Sequence, residues 1–407
     1  MRTLVIAGDY PWPADRGPRM RLGMVLRGLR RCGPVELVSV VSSARADFGP
    51  PDTELDLDKV ARVGFDNRPR TGAALAPSLW RPAMPLGMPW QDRGRVQGSL
   101  ARFVSGRYDL VWFFGARPWV LAGERSFAPT VVDLDDLEDQ KISARLAMPR
   151  PRPAGIDDRL RRVAADALSR EEIRRWRRLH RRAAARASAI VVCSRIDAAR
   201  AAAYGVTNVT VVPNGYRTPA RSLGRTTVGD PPVVLFQGLL RYPPNVEAAR
   251  FLAHQVAPLI RELVPDVQVR LVGEHLPDLL TLHDPPRVTV VGRVPDMATE
   301  LARADLVVVP VRYGSGTRIK IVEAFAHRIP VVSTALGAEG LEAEDGEHLL
   351  LGDSPRTLAA ACVRLLGDQE LRESIVARAF DLFTERFTSE AVERDVSRLA
   401  REVAGAA

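Results

Sequence analysis

The sequence from Leu306 to Ser333 combines two apolar strands, a glycine-rich loop and an apolar helix in one continuous run. Leu306–Val311 has the composition of a buried strand, the loop Gly314–Thr317 opens a helix, and Pro330–Ser333 has the composition of a second buried strand. Apolar strands joined through a helix are typical of a βαβ unit, in which the strands run parallel and helices cover the sheet. This run therefore predicts an α/β fold.

The same alternation of strands and helices occurs twice along the 407 residues. It begins with a strand at Leu4–Ala7 and restarts at Val233–Phe236 after a polar stretch. A chain of this length is too long for one ordinary core and suits two domains of about 150–200 residues each. We predict an N-terminal Rossmann-like domain over 1–215 and a C-terminal Rossmann-like domain over 216–388, with 389–407 as a candidate helix for folding back onto the first.

Local signals place further elements between these strands. Additional strands are predicted at Val35–Val41, Asp109–Phe114, Thr130–Leu134, Ala189–Cys193, Val209–Val212, Val267–Val272 and Val288–Val291. The segment Asp47–Gly94 is predicted to be irregular because prolines recur along it. Ser194 is predicted to cap a helix that Gly205 ends, and Asn245 is a candidate cap for another helix.

The loop Gly314-Ser315-Gly316-Thr317 has the composition of an anion site. Glycines let a ligand approach the backbone closely, and the unpaired N–H groups at a helix start attract negative charge. Arg318 and Lys320 add positive charge in the first turn, where it opposes the helix dipole unless an anion is bound. The alternative is an ordinary solvated helix start.

Glu323 is a carboxylate within the otherwise apolar stretch Ile319–Ala326. A carboxylate accepts two hydroxyl hydrogen bonds side by side, which suits the diol of a ribose. The alternative is a Lys320–Glu323 surface pair worth about 0.2–0.5 kcal/mol. The apolar helix between two buried strands favours the ribose interpretation.

Two more loops follow predicted strands of the second half. Gln237-Gly238 leads into the loop that carries Arg241, and Gly292-Arg293-Val294-Pro295-Asp296 follows another strand. Open α/β sheets bind ligands at the carboxyl ends of their strands. We therefore expect the three loops to line one crevice and the charged groups of Arg241, Arg318 and Lys320 to converge on one anion.

Several of these segments resemble a known family. The runs FQGLLRYPPN, VGRVPD, RYGSGTRIKIVEAFAHRIPVVST and GAEGL are similar to the C-terminal half of family 4 retaining glycosyltransferases of GT-B fold. The run VVCSRIDAARAAAYGVTNVTVVPNGY resembles the end of the first domain of that family, so the likeness covers most of Ala189 to Leu351. The resemblance implies two Rossmann-like domains that face each other across a cleft.

The resemblance also implies an activity. Such an enzyme moves a sugar from a nucleotide-diphosphate donor, here a UDP- or GDP-sugar, to an acceptor hydroxyl with retention of anomeric configuration. It needs no metal, and the nucleotide-sugar is a co-substrate rather than a cofactor. The acceptor is a glycan, a glycolipid or a small aglycone, held by the first domain, in polysaccharide, glycolipid or natural-product glycosylation.

The family pattern assigns roles to individual residues. Gly314, Ser315, Gly316, Thr317 and Arg318 would hold the diphosphate, Glu323 the ribose, and Arg241 and Lys320 would act as catalytic cations on the phosphates. Gly17 takes the place of the paired glycines of the first domain, and Asp135 stands where many members have a histidine before Asp136. Ser315 replaces a glutamate that is common near the sugar hydroxyls, and only Arg241 remains of an Arg and Lys pair, so the sugar is left open.

Positive charge is concentrated in one segment. From Arg145 to Arg186 there are 14 arginines against five acidic residues, an excess equal to the net charge of +9 of the whole chain. This segment is a solvated helix face, a surface for anionic lipid or a polyanionic acceptor, or a nucleic-acid site; the last is disfavoured because only Trp176 interleaves the arginines. For the lipid surface, the arginines at 174, 175, 177 and 178 are expected to make the contact.

Other features narrow the class. The sequence contains no run of about 18 apolar residues, the length that a membrane-spanning helix requires. The N-terminus has the pattern of a β-strand rather than of a signal peptide. Three separated cysteines fit a reducing compartment, and the histidines show no metal-binding spacing. We expect a cytoplasmic enzyme without a metal and with peripheral contact at the inner face of the membrane. The rival functions are a sugar-nucleotide epimerase or hydrolase of the same fold and a nucleic-acid-binding protein.

Overall fold

The computed structural model describes residues 1–44, 48–66, 84–124, 128–150, 153–225, 227–314, 316 and 319–405. The chain divides into two compact units. The first comprises Met1–Pro213 together with Val392–Ala407, and the second comprises Asn214–Ala391.

The described part of the first unit contains one sheet of seven parallel strands. These are β1 (Thr3–Ala7), β2 (Val35–Ser42), β3 (Lys59–Phe65), β4 (Leu110–Phe114), β5 (Thr130–Asp135), β6 (Ala189–Val192) and β7 (Val209–Val211). Its α-helices are α1 (Gly17–Arg30), α2 (Arg93–Phe103), α3 (Ala116–Leu121), α4 (Glu138–Ala147), α5 (Ile156–Ala184) and α6 (Arg195–Ala202), with 3₁₀ turns at Thr53–Leu55 and Trp90–Asp92. The strand order is β3-β2-β1-β4-β5-β6-β7.

The described part of the second unit contains a parallel sheet of six strands. These are β8 (Val233–Gln237), β9 (Gln268–Val272), β10 (Val288–Gly292), β11 (Leu306–Val309), β12 (Val331–Ser333) and β13 (Leu350–Leu351). The helices are α7 (Pro243–Phe251), continued by a π-helical turn (Leu252–Val256), α8 (Ala257–Arg261), α9 (Met297–Leu301), α10 (Ile319–Ala326), α11 (Ala335–Ala338), α12 (Pro355–Gly367) and α13 (Gln369–Arg386), with a 3₁₀ helix at Pro277–Leu282. The strand order is β10-β9-β8-β11-β12-β13.

Both sheets have the strand order of a doubly wound dinucleotide-binding fold. In this fold successive strands are added on one side of the first strand, and the order then reverses so that later strands are added on its other side. The reversal lies between β1 and β4 in the first unit and between β8 and β11 in the second. Ligands bind such sheets at the carboxyl ends of the strands beside the reversal. The predicted GT-B-type architecture of two Rossmann-like units is therefore present, and it directs attention to the loops after β8 and β11.

The prediction for one segment was wrong. Residues 59–65, placed within an irregular stretch, form the strand β3, which pairs in parallel with β2. Its Lys59 is exposed and only Val63 and Phe65 are buried, because β3 is the outermost strand of the sheet. The weak apolar pattern of such an edge strand explains why the surrounding prolines dominated the prediction.

The last helix, α14 (Ser389–Gly405), completes the first unit. Val392, Val396 and Leu399 belong to the same buried cluster as Leu22 and Val25 of α1. Gly28 permits this close crossing, because a Cβ atom at that position would lie 2.8 Å from the backbone oxygen of Glu393 and from Cβ of Val396. The C-terminal helix is therefore part of the core of the first unit.

No helix in the described ranges combines the length and the apolar character that crossing a membrane requires.

Candidate functional site

The candidate site lies at the carboxyl ends of β8 and β11, where two glycines bring neighbouring loops together. Gly238, directly after β8, has a φ of 151°, and Gly273, directly after β9, has a φ of 139°. A Cβ atom on Gly273 would lie 1.8 Å from the carbonyl oxygen of Gly238. Only glycine permits this backbone contact, which fixes the loops after β8 and β9 against each other.

Lys320 lies in the first turn of α10 and points toward the loop after β8. Its Nζ donates to Oδ1 of Asn245 at 3.1 Å and lies 4.5 Å from the centroid of the Phe236 ring. A Cβ atom at Gly238 would lie 2.8 Å from the same Nζ, so the ammonium sits directly over the loop backbone. Lys320 thus places a positive charge at the reversal point of the sheet, and its contact with a phosphate stays a prediction.

Asn245 has a different role from the predicted helix cap, so that prediction was wrong. The helix α7 begins at Pro243, and Tyr242 precedes it as the N-cap residue. The Asn245 side chain instead donates to the carbonyl oxygen of Leu239 at 3.0 Å and accepts from Lys320. It therefore connects the loop after β8 to the first turn of α10.

Glu323 lies one turn after Lys320 and is held at both carboxylate oxygens. The Tyr216 hydroxyl donates to Oε1 at 2.9 Å, and Nε2 of Gln237 donates to Oε2 at 3.1 Å. Each oxygen has two lone-pair directions, so each keeps capacity for one more donor. This is the arrangement expected of a carboxylate that accepts hydrogen bonds from a diol.

Burial raises the pKa of Glu323 above its ordinary value, although the hydrogen bonds from Gln237 and Tyr216 and the charge of Lys320 act in the opposite direction. Burial and the neighbouring carboxylate also raise the pKa of the Tyr216 hydroxyl, which therefore stays protonated as a donor. The other atom of the Gln237 amide, Oε1, is buried and accepts no hydrogen bond from the described residues. Carboxylates with this degree of desolvation are concentrated at functional sites.

Of the two other cations predicted for this site, the structure describes only Arg241. Nε of Arg241 lies 3.0 Å from Oε1 of Glu274 in an ion pair that is open to solvent. Arg318 lies outside the described residues, as do Ser315 and Thr317. Convergence of the three cations on one anion therefore stays a prediction, with Lys320 as the cation that the structure places at the reversal point.

The two glycines of the glycine-rich loop, Gly314 and Gly316, lie within the described residues. Gly314 has a φ of 127° and Gly316 a φ of 80°, both in the region that favours glycine. A cavity of about 500 Å³ adjoins this loop, with Arg241, Glu247, Arg312 and Tyr313 among its lining residues. Its volume lies within the range of about 300–1,000 Å³ that is common for small-molecule sites.

The first unit presents a buried ionic cluster at the carboxyl end of its sheet. The Arg21 guanidinium is fully buried and donates from Nη2 to both oxygens of Asp133, at 3.0 and 3.2 Å. Its Nε lies 3.5 Å from Oδ1 of Asp135, and its Nη1 donates to the carbonyl oxygen of Val212 at 2.9 Å. Arg21 thus ties the predicted catalytic Asp135 to α1 and to the end of β7.

Asp135 itself is partly exposed and has a φ of 58°, an uncommon backbone conformation for a residue other than glycine. The backbone N–H of Asp135 donates to Oδ1 of Asp133 at 3.0 Å, and this hydrogen bond supports the unusual conformation. Gly17, the predicted counterpart of the family glycines, is the first residue of α1 and follows Arg16 as N-cap. Sequence reasoning missed Arg21, although three arginines within six residues around the start of α1, at positions 16, 19 and 21, were a visible signal.

The arginine-rich segment forms α5, and the structure corrects which of its arginines are available. Arg175 is buried and its Nε donates to Glu171 at 3.1 Å. Arg177 donates to the buried Asp139 at 2.9 Å, and Arg178 to Glu171 at 3.3 Å. Arg174 lies 3.7 Å from Glu171 as well, so all four arginines expected to meet a lipid surface have acidic partners within the protein.

No group of three or more His, Cys, Asp and Glu side chains within the described ranges has the arrangement of a metal site. The absence of a metal requirement stays a prediction.

Comparison with known proteins gives one family match. Residues 231–368, all within the second unit, match the model of the family described as glycosyl transferases group 1. Among curated proteins, the chain is 23% identical over 168 residues to an uncharacterized 44.6 kDa protein in the cps region of Klebsiella pneumoniae. That match spans 39% of this chain and 43% of the relative.

Solved structures resemble the chain over nearly its whole length. Sucrose-phosphate synthase from Thermosynechococcus elongatus superposes with a TM-score of 0.69 and 16% identity, covering 100% of both chains. HepE (Alr3699) from Anabaena, solved in complex with UDP-glucose, superposes with a TM-score of 0.65 and 18% identity, covering 98% of this chain and 99% of that chain. Likeness at this level of identity concerns the fold, which is GT-B.

Proposed function

We propose that the chain is a glycosyltransferase that transfers a sugar from a nucleotide-diphosphate donor to an acceptor hydroxyl with retention of anomeric configuration. The observation that carries the proposal is Glu323, a half-buried carboxylate with one free acceptor position on each oxygen, one helical turn from the ammonium of Lys320. A diol and a phosphate on one ligand match this pair. The match of residues 231–368 to group 1 glycosyl transferases supports the same assignment.

In this proposal the donor binds to the second unit. Glu323 accepts from the two ribose hydroxyls, and the backbone around Gly314 and Gly316 approaches the diphosphate. Lys320 lies where negative charge develops when the bond between the sugar and the phosphate breaks. A preorganised donor of this kind is commonly worth about 3–4 kcal/mol of transition-state stabilisation.

The donor is proposed to be a UDP-sugar first and a GDP-sugar second. The ground for this order is that the similar HepE structure contains UDP-glucose. The acceptor, a glycan, glycolipid or small aglycone, is assigned to the first unit, with Asp135 as the group that contacts its hydroxyl. Arg21 would orient Asp135 through its ion pair.

A donor screen followed by product analysis tests the proposal. Thermal shift and saturation-transfer NMR over UDP-, GDP-, ADP- and dTDP-sugars should identify one nucleotide whose ribose protons receive the strongest saturation. With that donor and an acceptor panel, the anomeric coupling constant of the product should equal that of the donor, and EDTA should leave the rate unchanged.

Each alternative has its own outcome in this screen. If UDP were released without any acceptor, the activity would be hydrolysis rather than transfer. If the sugar were epimerised without any acceptor, the activity would be epimerisation. Inversion of the anomeric configuration would overturn retention. Failure of every nucleotide-sugar to bind would overturn the donor site itself.

A further inference from the structure

The edge strand β3 carries an exposed cation without an ionic partner. Arg62 lies in the middle of β3, and its side chain is exposed. The guanidinium makes no ion pair or hydrogen bond with the described residues. Its charge and its five N–H donors are therefore available to a ligand.

Two aromatic rings hold the Arg62 guanidinium in place. Its Cζ lies 5.2 Å from the centroid of the Tyr10 ring and 5.1 Å from the centroid of the Phe48 ring. Tyr10 meets Trp12 and Phe48 edge-on, with centroid distances of 5.1 and 5.3 Å, and both Tyr10 and Trp12 are buried. An arginine that is already stacked on fixed rings loses less conformational freedom when it binds a ligand.

The strand register places Arg62 near the edge of the sheet where ligands bind. Arg62 pairs with Ser39 of β2, and Ser39 pairs with Ala7, the last residue of β1. Tyr10 follows Ala7 by three residues in the loop after β1. Arg62 therefore lies level with the carboxyl end of β1, and open α/β sheets bind ligands in the loops at this end.

A second cation of this cluster has acidic partners. The Arg19 guanidinium lies 6.0 Å from the centroid of the Phe48 ring, but it is buried. Its Nη1 donates to Oδ1 of Asp15 at 3.1 Å, and its Nε lies 3.6 Å from Oδ1 of Asp9. The positive charge of Arg19 is thus compensated within the protein, whereas that of Arg62 is not.

We propose that Arg62 binds a carboxylate or phosphate group on the sugar portion of the acceptor. A planar guanidinium forms two parallel hydrogen bonds with either group, which a neutral sugar hydroxyl cannot match. The acceptor class is therefore an acidic or phosphorylated sugar. This inference rests on the proposed function, since it assigns the acceptor to the first unit.

The site is remote from Asp135, the proposed contact of the reacting hydroxyl. The strands β2, β1 and β4 separate β3 from β5. Four strand spacings of about 4.8 Å place β3 and β5 about 19 Å apart. The anionic group therefore belongs to a distal part of the acceptor, and its contact with Arg62 should contribute to binding rather than to the chemical step.

Nucleic acid fits this cluster less well. Tyr10 and Trp12 are buried, so their ring faces are closed to the bases that a single strand would stack there. Nucleic acid also gains its affinity from several phosphate contacts, whereas the described part of this cluster offers one uncompensated cation.

Saturation-transfer NMR of the full chain with three matched sugars tests the proposal. Glucose, glucuronic acid and glucose 6-phosphate share one ring and differ in the group at carbon 6, which is a hydroxymethyl, a carboxylate or a phosphate ester. No nucleotide-sugar is added. We expect at least one of the two anionic sugars to bind about fivefold more tightly than glucose, the scale of one well-placed ion pair open to solvent. The tighter of the two identifies the group.

Variants of Arg62 assign the preference to its guanidinium. Arg62→Gln should bring the anionic sugars to within about twofold of glucose, and Arg62→Lys should keep part of the preference, since it retains the charge but not the planar fork. The matched control is Arg107→Gln, an exposed arginine of the first unit that precedes β4 and lies at the opposite end of the sheet. It should leave the preference unchanged. Circular dichroism should be the same for all variants, because the altered side chains are exposed.

Four results would overturn the proposal. They are equal binding, or no binding, of all three sugars to the original chain; a preference that persists in Arg62→Gln; an equal loss in Arg107→Gln, which would indicate a response to net charge; and complete displacement of the anionic sugar by an equal concentration of inorganic phosphate, which would indicate a site for a free anion.

The outcome is separate from that of the donor screen. If every nucleotide-sugar fails to bind but an anionic sugar binds through Arg62, the proposed function fails while the anion site remains. If transfer occurs, Arg62→Gln should raise the acceptor KM about fivefold with little change in kcat. An unchanged KM would show that Arg62 does not contact the acceptor.

Discussion

Glu323→Gln is the change that separates a ligand-binding carboxylate from a structural one. Glutamine has nearly the same shape, and its oxygen can still accept from the Tyr216 hydroxyl. Its new NH₂ group would face Nε2 of Gln237, but Gln237 has a buried Oε1 without a partner among the described residues. Rotation of the Gln237 amide presents that oxygen to the new donor, so the variant can satisfy its hydrogen bonds.

Donor binding should suffer in this variant. The charge is lost, and the position that faces Gln237 changes from an acceptor to a donor. A hydrogen bond to a charged group contributes about 1.5–3 kcal/mol, so the loss of one ribose contact predicts a decrease in donor affinity of about 10- to 100-fold.

The free energy of unfolding of the variant, unlike its donor affinity, should not decrease near pH 7. Burial raises the pKa of Glu323 above its ordinary value of 4.5. An acid with a raised pKa binds more protons in the folded state than in the unfolded state, so the free energy of unfolding falls as the pH rises from the ordinary value through the raised one. Glutamine does not titrate. The variant should therefore lack this decrease and be at least as stable as the original chain near pH 7.

Isothermal titration with the nucleotide and urea denaturation at several pH values measure the two effects. Unchanged affinity in a folded variant would refute the assignment of Glu323 to the ribose. A loss of stability above about 2 kcal/mol would show that the carboxylate is a structural element, since that is the usual scale for a broken buried hydrogen bond.

Three further changes test other parts of the structure. Lys320→Met should weaken binding of UDP about 10-fold or more while leaving uridine binding unchanged, because only the diphosphate needs the ammonium; an equal loss for both ligands in calorimetry would contradict this. Arg21→Met should lower the free energy of unfolding by about 3–5 kcal/mol in urea, and addition of Asp133→Asn should restore part of it by removing the uncompensated charge. A double variant as unstable as the single one would contradict that ion-pair account. Burial lowers the pKa of His180 to about 4, so its folded form binds fewer protons and stability should rise between about pH 4 and pH 6.5 by up to about 3 kcal/mol. His180→Gln should flatten this rise in thermal unfolding, and an unchanged pH profile would exclude His180 as its source.

The sheet cores could be predicted because buried parallel strands are continuous apolar runs. The strands at Leu306–Val309 and Val331–Ser333 coincide with apolar runs in the second half of the sequence. The cap at Ser194 was also confirmed, with its Oγ accepting from Nα of Asp197 at 3.0 Å, because a cap depends on neighbours three residues away. The strand β3 was missed because an edge position removes half of that apolar signal.

The site was predictable only where its residues follow one another in the sequence. The loop after β11 leads directly into α10, so Gly314, Gly316, Lys320 and Glu323 could be grouped before the fold was known. The partners of Glu323 could not, because Tyr216 lies 107 residues away and Gln237 lies 86 residues away. A polar residue at the end of an apolar strand was the available signal for Gln237.

The route of the chain through the two units also determines the order in which a ribosome can deliver them. All of the second unit, Asn214–Ala391, is synthesised before Val392, Val396 and Leu399. The nascent first unit meanwhile lacks the C-terminal helix, whose apolar residues share a buried cluster with Leu22 and Val25 of α1. The second unit is continuous in sequence, whereas the first unit cannot complete its core until the C-terminal helix has been synthesised. The first unit therefore exposes an apolar surface for longer and is the part for which chaperone protection matters.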